Sequence, residues 1–112
     1  MAQYHNIFTS HVDLDGCHLA FSQAIKAAGW STLRSGGTRT LIAREPNDRG
    51  EWEENLVVVE INFDFGRNKM TLIDLNARSG RPGEAANEYA RHQCEGLLRR
   101  VETSIRPQKT YA

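Results

Sequence analysis

The chain has 112 residues, with 14 Lys plus Arg set against 14 Asp plus Glu, so its formal net charge is zero. Apolar residues make up 39% and charged residues 25%, which is ordinary for one globular domain that folds without staples. The balance of charge offers no overall attraction to nucleic acid or membrane, and no apolar run approaches the ~20 residues of a spanning helix. The opening MAQYHNIF lacks a charged segment followed by an apolar one, so no signal peptide is read and a cytoplasmic location is expected.

Tyr4 to Val12 mixes aromatic, β-branched and polar residues and reads as a short strand. Asp13 or Asp15 can then accept bonds from the free amides of a helix start. That helix is predicted over Asp15 to Ala28, with Cys17, Phe21, Ala24, Ile25 and Ala28 on its inner face. Gly29 is a left-handed stop, and Trp30 folds back on the last turn. Ser31 to Gly37 reads as a loop and Thr38 to Arg44 as a strand. Glu45 to Asn55 is a turn-rich, acidic connection punctuated by Pro46, Asn47, Asp48 and Gly50.

Leu56 to Leu75 organises the rest. Val57, Val59, Ile61, Phe63 and Phe65 alternate, the spacing of one strand face. Gly66-Arg67-Asn68 turns the chain, and a second alternating run follows to Leu75, giving a β-hairpin as the floor of the core. Asn76 to Gly83 is a loop, and Pro82 can start the next helix. The helix is predicted over Gly83 to Thr103, with Ala86, Ala90, Cys94, Leu97, Leu98 and Val101 as its stripe. Gly96 within it costs about 1 kcal/mol relative to alanine, which points to close packing. Residues 1–105 are expected to form one domain and 106–112 a mobile tail.

The order is thus β-α-β-β-β-α. Two helices with one apolar stripe each need a surface to bury them on, and a sheet with one apolar face supplies it. The expected fold class is α+β: a two-layer sandwich, with an antiparallel sheet of about four strands and both helices on one face. Cys17 and Cys94 lie far apart in helical, apolar surroundings and are expected to be buried free thiols.

The sharpest local motif is His11-Val12-Asp13-Leu14-Asp15-Gly16. Imidazole and carboxylate at alternating positions point the same way off an extended segment and can share one ion. Between a strand and a helix, this H-x-D-x-D-G resembles the first motif of the Asp-His-His phosphoesterases. The resemblance implies a divalent metal such as manganese held by His11, Asp13 and Asp15, with Asp74 or Asp64 approaching from the hairpin. The chain carries no Asp-His-His run. Read from the residues, Asp13 and Asp15 cap the helix, and no metal or other cofactor is expected.

A second resemblance spans most of the chain. Met1, Tyr4, Ile7, Thr9, Asp13, Asp15, Gly29 and Trp30, then Tyr89-Ala90-Arg91-His92 on a helix, are similar to an uncharacterised family encoded in cyanobacteria and plastids. It implies a small α+β domain and no particular activity.

No catalytic set is complete in the sequence. The expected function is therefore a non-catalytic protein-binding module or accessory subunit, with the metal-dependent phosphoesterase as the alternative. The candidate contact surface is Trp52 among Glu51, Glu53 and Glu54, one aromatic anchor in an acidic loop. Tyr89 and His92, at i and i+3 on an accessible helix face, are further contact candidates. The expected partner is a protein. Self-association through a Val-rich edge strand is a second expectation.

Overall fold

The computed structural model describes residues 2–106, together with the backbone of 108–109. Among the described residues, six strands and two α-helices follow in chain order: β1 Ala2–Ser10, α1 Leu14–Ala27, β2 Ser31–Gly36, β3 Thr40–Arg44, β4 Val58–Phe65, β5 Thr71–Ser79, α2 Glu84–Ile105 and β6 Gln108–Lys109. The strands form one sheet in the order β2-β3-β4-β5-β1-β6, and every pairing is antiparallel.

The α+β class expected from the sequence is what the structure shows, but the sheet is larger than the four strands anticipated. Ser31–Gly36 is a strand, not a loop. All six of its residues are exposed, so it has no buried face to leave a pattern in the sequence. What makes it a strand is backbone pairing to β3, with a bulge between Thr32 and Arg34. The Val-rich β4 lies between β3 and β5 and so has no free edge. At the other edge, Gln108 and Lys109 pair with Thr9 and Phe8, where the sequence suggested only a tail. The rest of that expected tail beyond Arg106 lies outside the described residues.

The hairpin is the floor of the core. Val59, Ile61 and Phe63 on β4 face Ala77, Leu75 and Ile73 on β5, all nearly inaccessible. Phe65 departs from this face: it is 71% exposed at the hairpin tip, under the guanidinium of Arg39. The turn places its positive φ on Asn68 and Lys69, not on Gly66. Helix α1 packs on β2, β3 and β4, helix α2 on β1 and β5, and the helices touch each other. Their stripes close over the sheet through Cys17, Phe21 and Ile25 from α1 and Ala90, Cys94, Leu97, Val101 and Ile105 from α2. Both cysteines are free and buried.

The helix ends follow local rules. Asp13 is the N-cap of α1, its carboxylate accepting the Gly16 N–H at 2.7 Å. At the C-terminus, Gly29 takes φ 78°, its N–H bonds Lys26 O, and the Trp30 N–H reaches Ile25 O at 2.9 Å. That is the Schellman arrangement, and it turns Trp30 inward to 8% exposure. Among the described residues, no helix is long and apolar enough to cross a membrane.

Candidate functional site

The connection from β3 to β4 and the flank of α2 meet at one end of the molecule. Strand β3 alternates its side chains, so Leu41 and Ala43 point into the core. Glu45 is next in that register and is carried inward with them, to 5% exposure. A carboxylate there needs partners. Its Oε2 accepts the Val57 N–H at 2.7 Å, and its Oε1 accepts the Tyr89 hydroxyl at 2.5 Å. Tyr89 Oη in turn accepts Arg49 Nη2 at 2.9 Å. The ring of Tyr89 lies near two guanidiniums, with Arg49 at 5.5 Å and Arg81 at 5.6 Å. Burial pushes the Tyr89 phenol pKa up, its bond to Glu45 adds to this, and the two arginines pull it down.

The connection is pinned further along. Asn47 closes a turn onto the backbone of Glu51, accepting its N–H at 2.8 Å and donating to its carbonyl at 3.1 Å. The Glu51 carboxylate pairs with Arg81, and Glu53 pairs with Arg44 at 2.6 Å. The Gly80 N–H donates to Glu54 O at 2.7 Å, and Ser79 Oγ donates to Asn55 O at 2.9 Å. A Cβ at Gly80 would collide with the Glu54 carbonyl, so only glycine permits this approach. Between these fastenings Trp52 stands 75% exposed.

Behind the connection lies a cleft of about 820 Å³, bounded by Trp30, Glu45 and Arg49 on one side and by Tyr89, His92 and Gly96 of α2 on the other. Tyr89 and His92, paired from their spacing, do share this cleft. Trp52, Glu51, Glu53 and Glu54 are not part of its lining. The role of Glu45 was missed in the sequence, although its register was legible: it continues the Leu41, Ala43 alternation. Gly96 also departs from expectation. A Cβ there meets nothing within 4 Å, so close packing is not its reason.

In the H-x-D-x-D-G stretch Asp13 alone is the helix cap, and Asp15, expected as a second cap, lies within the first turn of α1. The Asp13 carboxylate serves the helix cap. Asp74 lies on the outer face of the sheet, where it accepts His5 Nε2 at 2.6 Å and Asn76 Nδ2 at 3.2 Å. It is thus engaged away from the cap, because even positions of β5 face outward while Ile73 and Leu75 face the core. Asp64 bonds Arg39 Nη1 at 3.0 Å and the Phe65 N–H at 2.8 Å. Among the described residues, no group of three or more His, Cys, Asp or Glu could hold a metal ion.

No protein-family model and no curated protein matches the chain. Solved structures do. An HSP90 activator from Plasmodium falciparum is similar with a TM-score of 0.65 at 10% identity, covering 98% of this chain and 100% of its own. A protein from Nitrosospira multiformis gives 0.60 at 11% identity, covering 93% and 96%. The crystal structure of Ara h 8.0201 gives 0.54 at 8% identity, covering 90% and 95%. At these identities the likeness speaks for the fold alone, an α+β arrangement of antiparallel sheet and helices.

Proposed function

We propose that the chain is a non-catalytic protein-binding module or accessory subunit that meets its partner through the β3–β4 connection, with Trp52 as the anchor. The observation that carries this reading is an indole 75% exposed on a connection fastened before and after it. A single exposed apolar residue is ordinary. An indole on a pre-ordered loop offers more, because little freedom is left to lose on binding. Glu51 and Glu53 are neutralised by Arg81 and Arg44, while Glu54 has no ion-pair partner among the described residues. Glu54 therefore supplies the charge beside the anchor, which suits a basic partner surface. A fold neighbour is an HSP90 activator, which supports a protein-contact role at the level of fold.

The test is affinity capture with wild type and with Trp52→Ala/Glu54→Lys, substitutions that leave both braces in place. A partner identified by mass spectrometry is expected to be held by wild type and lost by the variant, with unchanged thermal melting and with cross-links on residues 47–54. Capture by the variant at the wild-type level would remove this surface from consideration.

A further inference from the structure

The cleft behind the connection is a separate feature, independent of the Trp52 contact. We propose that it binds a small organic anion, which presents a carboxylate or phosphate to Arg99 and Arg100 and an apolar ring to Ala28, Pro46 and the accessible edge of Trp30. A volume of about 820 Å³ falls within the range of small-molecule sites. The cleft borders the packed core at Trp30 and Leu97, while Phe21, Ile61, Phe63 and Leu75 fill the space between sheet and helices.

The chemistry of the lining is lopsided. From α2 it receives Tyr89, His92, Gln93, Gly96, Arg99 and Arg100, positions that recur at helical spacing on one face. Arg99 and Arg100 among them only donate, while Tyr89, His92 and Gln93 both donate and accept. Only Glu45 and Asp48 bring carboxylates to the cleft. Both Glu45 oxygens are already taken, by the Val57 N–H and the Tyr89 hydroxyl. Among the described residues, neither Arg99 nor Arg100 has an ion-pair partner. Two guanidiniums without carboxylate partners select an anionic ligand, and they match carboxylate and phosphate oxygens in geometry as well as charge. Asp48 disfavours a ligand charged all round, so a ligand with one anionic end fits best.

Gly96 is the independent observation. Glycine inside a helix weakens it relative to alanine, and some advantage has to offset this. Close packing offers none, since a Cβ would enter open space. The missing side chain leaves room in the cleft itself, beside Leu97. The opposite wall is already set by the Glu45–Tyr89–Arg49 chain of bonds, so the site needs little rearrangement to accept a ligand.

Titration of the ¹⁵N-labelled protein with phenyl phosphate, benzoate, benzyl alcohol and inorganic phosphate tests this. Phenyl phosphate and benzoate are expected to shift the amides of Gln93, Gly96 and Leu97 and the Trp30 indole signal, saturably. Benzyl alcohol should bind at the same signals about tenfold more weakly, the discrimination expected from one charge-assisted contact. Inorganic phosphate should move signals near Arg99 and Arg100 without moving Trp30. Arg99→Gln/Arg100→Gln should bring phenyl phosphate down to the level of benzyl alcohol with no change in melting. Gly96→Leu should block every aromatic probe, and Gly96→Ala confirms that the helix tolerates a side chain there. The proposal is overturned if no probe saturates, if the shifts lie elsewhere, or if the arginine replacements leave affinity unchanged. A short glutamate peptide that binds the same amides more tightly than phenyl phosphate would overturn the small-molecule assignment.

Discussion

Glu45 and Trp52 belong to the same connection between β3 and β4, and their exposures run opposite to their polarity. The carboxylate is 5% exposed and the indole 75%. Glu45 is inside because strand register carries it there and because a backbone amide and a phenol can answer both its oxygens. Trp52 is outside because the residues on either side are tied to other elements and hold it away from the core. Burial here follows backbone position and available partners before it follows hydropathy. Stability should therefore depend on the charged residue, and recognition on the apolar one.

The strongest way to break that contrast is Glu45→Ala. It would leave the Val57 N–H without its side-chain acceptor and the Tyr89 hydroxyl without its own, both close to the core. A charge-assisted bond lost beside an unsatisfied buried donor costs about 3 kcal/mol. Urea unfolding should show a lower midpoint at unchanged slope, with Glu45→Gln intermediate. A loss no larger than that of a surface substitution would mean that the carboxylate is not buried as described.

Tyr89→Phe sharpens the contrast by removing one bond and leaving the Glu45 carboxylate in place. At neutral pH it should cost about 1.5 kcal/mol. The pH dependence adds a second readout. Burial first, then the bond to Glu45, raises the Tyr89 phenol above its usual 10.0. Burial likewise pushes the Cys94 thiol from 9.0 up to about 12, with Glu95 adding to it. In both cases the folded form holds its proton more tightly than the unfolded chain. The stability they contribute is thus fully present below the unfolded values and is lost as pH rises through the folded ones. Melting temperature should stay level up to pH 9 and fall progressively toward pH 12. Tyr89→Phe should make the fall shallower, whereas Trp52→Ala should leave the profile unchanged. A melting temperature flat through this window would contradict the burial of both groups.

The same distinction explains what was legible in the sequence. Strand β4 and helix α2 announce themselves because each buries one face, which writes apolar residues at period two or at three-to-four spacing. Strand β2 has no buried residue, so STLRSG carries no alternation, and its pairing with β3 makes it a strand. The Asp13 cap and the Gly29 stop could be read because their partners lie within one helical turn. The Glu45–Tyr89 bond joins residues 44 positions apart, and no local pattern marks it. The cleft is hidden for the same reason: its α2 stripe is mostly polar and its opposite wall comes from the turn after α1 and the β3–β4 connection.

Asp13 is an intermediate case, an exposed carboxylate with one local structural task. Asp13→Ala should cost about 1 kcal/mol, the usual worth of an N-cap, as measured by urea unfolding. Manganese should leave the melting temperature unchanged in wild type, since Asp74 is bonded to His5 on the outer sheet face and not gathered toward His11, Asp13 and Asp15. A saturable rise in melting temperature that Asp13→Asn and Asp15→Asn both abolish would restore the phosphoesterase alternative.

The smallest expected effect on stability is the one that bears most on recognition. Trp52→Ala deletes the largest exposed side chain of the connection, yet the bonds that fix this loop run through Asn47, the Glu51 and Glu54 backbone, Ser79 and Gly80. None of them uses the indole. An exposed side chain away from such fastenings usually contributes within about 0.5 kcal/mol, so the variant should unfold with wild type in urea. If the variant were instead as unstable as Glu45→Ala, the indole would be packing against the fold, and its exposure could not count as a free anchor. Stability unchanged together with lost partner capture is the outcome that separates the two ends of the connection: Glu45 holds the loop in place, and Trp52 is what the loop presents.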